Sequence, residues 1–246
     1  FECEFLIFDE TLISSTTLAE MQGIEPKMKM GQVRWYKNID ARSTYIVSLD
    51  PALGTGGNYA GLQIVELPSL IQVGEWQHNR TPIQQQVGIL SEIIKYLSEI
   101  VPVNNIYYSV ENNSIGEAAL ISLNEYGESN IPGIFLSETG KKRKGFNTTH
   151  KVKLTACAKF KTLLESKRMK VYSKSLISEL KTFVAHGLKY KAKSQEHDDL
   201  VMSMLLNVRM IMVLQDWDPA VYEKIRDDMS SEDTIMPMPI FISNFV

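Results

Sequence analysis

The sequence predicts an α/β fold in which an antiparallel hairpin leads into parallel strands and helices flank the resulting mixed sheet. Three observations carry that expectation. Two runs of β-formers, Tyr45–Leu49 and Ala60–Leu67, flank a glycine-rich turn, the pattern of a hairpin. Later strand-like runs alternate with segments whose apolar residues recur at helical spacing. Two of the core strands end in an acid, Asp50 and Glu111, and polar or turn-forming residues follow each.

Residues 1–41 read as an entry segment. Glu2-Cys-Glu-Phe-Leu-Ile-Phe is followed by a polar Ser-Ser-Thr-Thr stretch and then by Met21–Met30. The chain opens mid-pattern and without methionine, so this segment is expected to be the end of a linker from something upstream. Gln32–Lys37 is a candidate strand. The compact domain is expected over 42–215. Tyr45–Leu49 reads as a buried strand that terminates at Asp50, and Pro51, Gly54, Gly56 and Gly57 break the pattern. Leu70–Asn79 gives a third strand. Thr81 is expected to cap the next helix and Pro82 to open it. Ile83, Val87, Leu90, Ile93, Ile94 and Leu97 mark its apolar face.

Asn105–Val110 is the following strand and runs into Glu111. Ile115–Asn124 reads as a helix with Ser114 as its cap. Ile134–Leu136 is a short strand, and Gly140–Gly145 a basic loop. A helix is expected from Thr148 through Phe160 and Leu164, and another from Ser175 to about Val184. Tyr190–Gln195 reads as a basic polar loop. His197–Leu214 is the last strong helix, with Leu200, Met204, Val208 and Ile211 on one face. Residues 216–246 are acidic and proline-dotted, and are expected to extend over the surface or trail off.

Several function classes are excluded. No apolar run approaches the roughly 20 residues of a membrane span, and the opening lacks the charge-then-apolar pattern of a signal peptide. Cys3 and Cys157 are too few for a disulfide framework or a thiolate metal site. The four histidines have no zinc-ligand spacing. There is no phosphate-cradling G-x-x-x-x-G-K-[ST] loop. Gly54-Thr-Gly56-Gly57 leads into a strand and not a helix, which removes the dinucleotide-binding context.

The net charge of −3 hides an asymmetry. From Lys141 to Lys193 lysines and arginines recur throughout, opposed only by Glu165 and Glu179; beyond them the chain turns acidic. Such a local basic field suits a polyanion, or else is a solvated lysine-rich face. Three acidic positions stand out beside it: Asp50, Glu111 and the pair Asp198-Asp199. Each has an ordinary explanation, since aspartate opens turns and acids favour helix N-termini. Yet two strand ends and one helix start can converge at one sheet edge. Carboxylates about 4 Å apart repel by roughly 4 kcal/mol per pair at an effective dielectric near 20, so such a cluster needs cations. Oxygen ligands suit magnesium or manganese, and two such ions suit attack by water on a phosphodiester.

Leu49-Asp50-Pro-Ala-Leu-Gly54-Thr-Gly56, Val110-Glu111-Asn-Asn and His197-Asp198-Asp199-Leu200-Val201, in that order, resemble the nuclease domain of the large terminase subunit of tailed bacteriophages, of tevenvirus-like myophage type. The Phe1–Leu6 opening is similar to the segment that leaves that family's ATPase domain. This chain has Asn58 where many relatives carry an acid.

The resemblance implies an RNase H-like fold and a metal-dependent endonuclease that cuts concatemeric viral DNA during packaging. It implies Asp50, Glu111 and Asp198 as catalytic metal ligands, Asp199 as a further ligand, and Mg2+ or Mn2+ as a pair of ions. Implied partners are double-stranded viral DNA, an ATPase domain of the same chain, the small terminase subunit and the portal, in the host cytoplasm and transiently on the procapsid. Lys141, Lys142, Arg143 and Lys144 are assigned to the DNA backbone. A non-catalytic DNA-gripping module and a resolvase-like nuclease of the same fold are the alternatives.

Overall fold

A computed structural model describes residues 10–127, 130–138, 140, 143–187 and 189–217, with the side chains of 215–217 outside the description. The Phe1–Leu6 opening, Lys141, Lys142 and residues 218–246 therefore lie outside the described residues. Helix α1 (Ser15–Glu20) and strands β1 (Met28–Met30) and β2 (Val33–Trp35) come first. The hairpin follows as β3 (Thr44–Asp50) and β4 (Ala60–Leu67), and then β5 (Ile71–His78). Helix α2 (Ile83–Ser98) leads to β6 (Ile106–Val110), α3 (Ser114–Tyr126) and β7 (Ile134–Phe135). Helices α4 (His150–Glu165) and α5 (Lys174–Thr182), strands β8 (Phe183–His186) and β9 (Lys189–Ala192), and α6 (Asp199–Trp217) are the remaining elements among the described residues.

The main sheet has seven strands in the order β1-β2-β5-β4-β3-β6-β7. Pairs β3–β6 and β6–β7 are parallel and the others antiparallel. The mixed sheet carries helices on both faces, the RNase H-like arrangement. Alternation along the strands divides the core. Tyr45, Val47 and Leu49 of β3 join the cluster with Val87, Leu90 and Leu97 of α2. Ile46 of β3 and Tyr107 of β6 join Phe160 of α4, Leu180 of α5 and Leu200 and Met204 of α6. Helix α6 is apolar on nearly all sides because it lies between the sheet and the outer helices. Among the described residues no helix is long and apolar enough to cross a membrane.

Residues 10–41 are built into this body. Leu12, Ile13 and Leu18 are buried in the α6-side core, and β2 pairs with β5. Buried Glu75 of β5 accepts from Tyr36 Oη at 2.6 Å and Ser173 Oγ at 2.7 Å, and ion-pairs with Arg34 at 3.1 Å. Buried Glu66 of β4 accepts from Tyr45 Oη at 3.0 Å and from Lys37 Nζ.

Local chemistry departs from the sequence expectation at four places. Pro82 itself is the capping residue of α2, and Thr81 Oγ1 instead pairs with His78 Nδ1 at 2.7 Å. Asn113, not Ser114, caps α3: its Oδ1 accepts from Ile115 N–H and Gly116 N–H at 3.0 and 2.9 Å. Phe183 and Val184 leave α5 as a strand. They pair with the stretch read as a loop, so that β8 and β9 form a separate two-stranded hairpin.

Two tertiary contacts fix the elements that matter below. The Gly61 backbone lies against the start of α6; a Cβ there would stand 2.7 Å from Asp199 O and 3.0 Å from Ser203 Oγ. Buried Arg209 of α6 ion-pairs with Glu138, donates to Thr148 Oγ1 at 2.8 Å and to Asn147 O at 3.0 Å, and lies 5.1 Å from the Phe146 ring centroid. It thus ties Glu138 and residues 146–148 to α6.

Gly61→Ala is expected to lower stability by about 1–3 kcal/mol in urea unfolding, because α6 must lift off the sheet. Gly57→Ala, where nothing lies within 4 Å, is expected to be near neutral. Arg209→Ala is expected to cost about 3–5 kcal/mol by taking the cation away from the largely enclosed Glu138 carboxylate, and Arg209→Met with Glu138→Met to cost much less.

Candidate active site

Strand register brings the first two acids together. Leu49 of β3 stands opposite Val110 of β6 in the parallel ladder, and Glu111 N–H donates to Leu49 O at 2.9 Å. Asp50 and Glu111 are the next residues on adjacent strands. By alternation both fall on the α6 face, Asp50 with Ile46 and Ser48, and Glu111 with Tyr107. Burial, then the Glu111 charge and hydrogen bond, then Asp199 and Asp198, push Asp50 well above the usual carboxylate range.

Both acids are held from behind. Glu111 is buried, and its Oε2 accepts from Asn113 Nδ2 at 2.7 Å, the same asparagine that caps α3. Glu111 forms an isolated parallel bridge with Phe146, and Asn112 N–H donates to Phe146 O at 2.7 Å. The turn after Asp50 is tied to α2 through buried Gln86. Its Nε2 donates to Ala52 O and Thr81 O, each at 2.7 Å, and its Oε1 accepts from Ala52 N–H at 3.2 Å. Gly54 has φ +74°, and a Cβ there would stand 2.3 Å from Thr81 O. The loop thus closes on the start of α2 only with glycine.

The third acidic position enters from α6. In the β3–β4 ladder Asp50 stands opposite Gly61, and Gly61 is where the Asp199 backbone touches the sheet. Ser48 Oγ donates to Ser203 O at 2.7 Å one turn further on. Asp198 and Asp199 are not equivalent. Asp198 Oδ2 accepts from Ala192 N–H of β9 at 3.3 Å and lies 4.0 Å from Lys153 Nζ of α4. Asp199 Oδ2 lies 3.5 Å from His197 Nδ1. Burial raises the Asp199 carboxyl, the Tyr59 backbone N–H opposes, and the Asp198 charge adds to the rise. Asp199 acts on Asp50 more strongly than Asp198 does.

Asp50 and Glu111 are therefore in contact, with Asp199 and Asp198 close enough to be felt. Among the described residues no three His, Cys, Asp or Glu side chains are already arranged to hold an ion. As placed, the crowding leaves the Asp50 carboxyl well above its ordinary range, and Lys153 stands beside Asp198. The donor set is nonetheless all oxygen and crowded with like charge, which fits a hard divalent cation.

Positive charge lies on both sides. Arg143 and Lys144 are exposed and line a cleft of about 390 Å3 with Asn112 and Glu117; Asn112 Nδ2 donates to Lys144 O at 2.8 Å. On the Asp198 side, His150, Lys153, Lys189 and Lys191 line a cleft of about 300 Å3. Sequence reasoning missed Glu179. This buried residue of α5 accepts from Leu200 N–H at 2.8 Å and Val201 N–H at 3.0 Å through Oε2, and from Gln77 Nε2 at 2.9 Å through Oε1. Burial pushes its carboxyl up to about 8, and Asp199 adds to the rise, against the N–H donors that pull it down.

A family model described as the terminase RNase H-like domain matches residues 47–210. The large terminase nuclease of thermophilic phage G20c with bound cobalt superposes with TM-score 0.62 and 19% identity, over 81% of this chain and 97% of that one. The same nuclease with bound magnesium gives TM-score 0.61 and 19% identity, over 81% and 97%. The human cytomegalovirus terminase nuclease domain gives TM-score 0.52 and 12% identity, over 80% and 94%. The matched span runs from the strand that ends in Asp50 to the helix that Asp199 opens, and by it this chain belongs to the terminase RNase H-like domain family.

Proposed function

We propose that this domain is a divalent-metal-dependent endonuclease that cuts concatemeric double-stranded viral DNA during genome packaging, with little sequence preference. Its broad class is that of its family, the nuclease domain of a DNA-packaging terminase. The observation that carries the finer reading is the side-by-side register of Asp50 and Glu111, with the start of α6 against the same strand end.

Asp50, Glu111 and Asp198 would be the catalytic ligands of magnesium or manganese, as two ions, with Asp199 as a further ligand. When bound, such a pair lowers the pKa of an attacking water and stabilises the leaving oxygen. The chain's own residues do the rest. Asn113 orients Glu111. Asp50 presents its carboxylate from the end of β3, beside Glu111. Lys153 offsets the charge of Asp198. Arg143 and Lys144 on one side, with Lys141 and Lys142 of the same loop, and Lys189 and Lys191 on the other would take DNA phosphates. Such contacts position a duplex without reading its sequence.

In this reading residues 1–41 lie between an ATPase domain of the same polypeptide and the 42–215 nuclease unit, onto which the part from Leu12 is packed, and 216–246 extend from that unit. The small terminase subunit and portal are its partners, in the host cytoplasm and transiently on the procapsid.

Asp50→Asn and Glu111→Gln are each expected to abolish plasmid nicking in Mg2+ or Mn2+. Asp50→Asn is also expected to raise stability in chelator by about 1–2 kcal/mol, because it relieves like-charge crowding. Nicking that survives both substitutions rules the reading out. Salt-sensitive DNA binding by the unmodified protein, without nicking in either metal, would leave a gripping module instead. Arg143→Ala with Lys144→Ala is expected to weaken binding equally for unrelated duplexes. The salt dependence of log K should become shallower by about 1 per lost phosphate contact, measured by gel shift across a salt series.

A further inference from the structure

We infer that Glu179 is a positioning residue of the candidate active site: it takes over the cap of α6 and so leaves the Asp198 carboxylate available to a divalent cation. The inference rests on the metal-dependent reading above.

Asp198 occupies the capping position of α6. Its carbonyl accepts the first intrahelical bond, from Met202 N–H at 2.8 Å. An aspartate there ordinarily turns its own carboxylate back onto the N–H groups two and three residues on. In this chain those are Leu200 and Val201, and both are taken by Glu179 Oε2, at 2.8 and 3.0 Å. Asp198 instead faces outward, to Ala192 N–H and Lys153. Glu179 is itself fixed from a third element, because Gln77 Nε2 of β5 donates to its Oε1 at 2.9 Å.

The exchange has a physical cause. Leu200 and Val201 are fully buried, so water cannot replace a missing acceptor. Each buried N–H left without one costs about 1–3 kcal/mol. Without Glu179 the acceptor that capping geometry offers is the Asp198 carboxylate, which would rotate inward and leave the acidic cluster. One carboxylate from α5 thus satisfies the helix so that another, from α6 itself, need not.

The test is Mn2+ binding by titration calorimetry on the described domain with its flanking residues, at fixed pH and salt, without DNA. Glu179→Met is expected to weaken Mn2+ binding about tenfold, the lower end of an outer-shell effect. Glu179→Gln keeps an acceptor oxygen and is expected to stay near the unmodified affinity. In an Asp198→Ala background, Glu179→Met is expected to cost nothing further. Unchanged affinity in Glu179→Met, or an equal loss with and without Asp198, overturns the inference while leaving the nuclease reading intact. Should Glu179→Met fail to fold, Gln77→Leu, which removes the bond that steadies Glu179, is expected to weaken binding roughly threefold, again only with Asp198 present. Unmodified protein that takes up no Mn2+ overturns both.

Discussion

The parallel ladder between β3 and β6 sets two carboxylates side by side, and most of the site is arranged around that juxtaposition. With Leu49 opposite Val110, the next residues along are Asp50 and Glu111, on one face of the sheet. Two charged carboxylates on neighbouring strand ends repel, by roughly 4 kcal/mol at 4 Å and an effective dielectric near 20. The fold holds them there by surrounding rigidity. Gln86 pins the turn after Asp50, Asn113 restrains Glu111, and Phe146 closes the strand end from behind. The raised Asp50 carboxyl is the response to a position that its backbone does not let it leave.

The second requirement is a helix that begins at that same point. Helix α6 can rest on the sheet because β4 offers Gly61 where a side chain would collide, and because Ser48 Oγ donates to Ser203 O and Asn207 Nδ2 to Gln63 O across the contact. The apolar body of α6 anchors it. Its one buried cation, Arg209, reaches back to the segment behind Glu111 and adds a positive charge to the cluster's far side. Core packing and site geometry are thus the same contacts, and a substitution in α6 far from the acids can still move them.

Much of this was readable from the residues alone. Runs of β-formers that stop at an acid announced β3 and β6, and the helical spacing of Val87, Leu90 and Leu97 announced α2. The ladder that joins them was not readable, because it depends on a crossover and not on local pattern. Caps were misassigned where neighbours were equally capable: Asn113 and Ser114 both suit the position, and the choice follows from which one can also reach Glu111. The β8–β9 hairpin was hidden because Phe183 and Val184 extend the apolar pattern of α5. Gly187 between two short runs was the available signal. Glu179 and Arg209 are lone charges among apolar residues, which marks them as buried. Their partners are distant, Glu138 by 71 positions in the case of Arg209, and no local pattern could name them.

The pairing of Lys37 with Glu66, and of Arg34 and Tyr36 with Glu75, bears on where this unit could be excised from a longer polypeptide. A cut at residue 42 follows the obvious break in the sequence. It would strip the counter-charge from two acids embedded in the middle of the sheet and expose the face that Leu12 and Ile13 cover. Any graft or minimal version of the domain has to start ahead of Leu12. The stretch from Leu12 to Lys37 is spent on structure and is not free to serve as a slack connection.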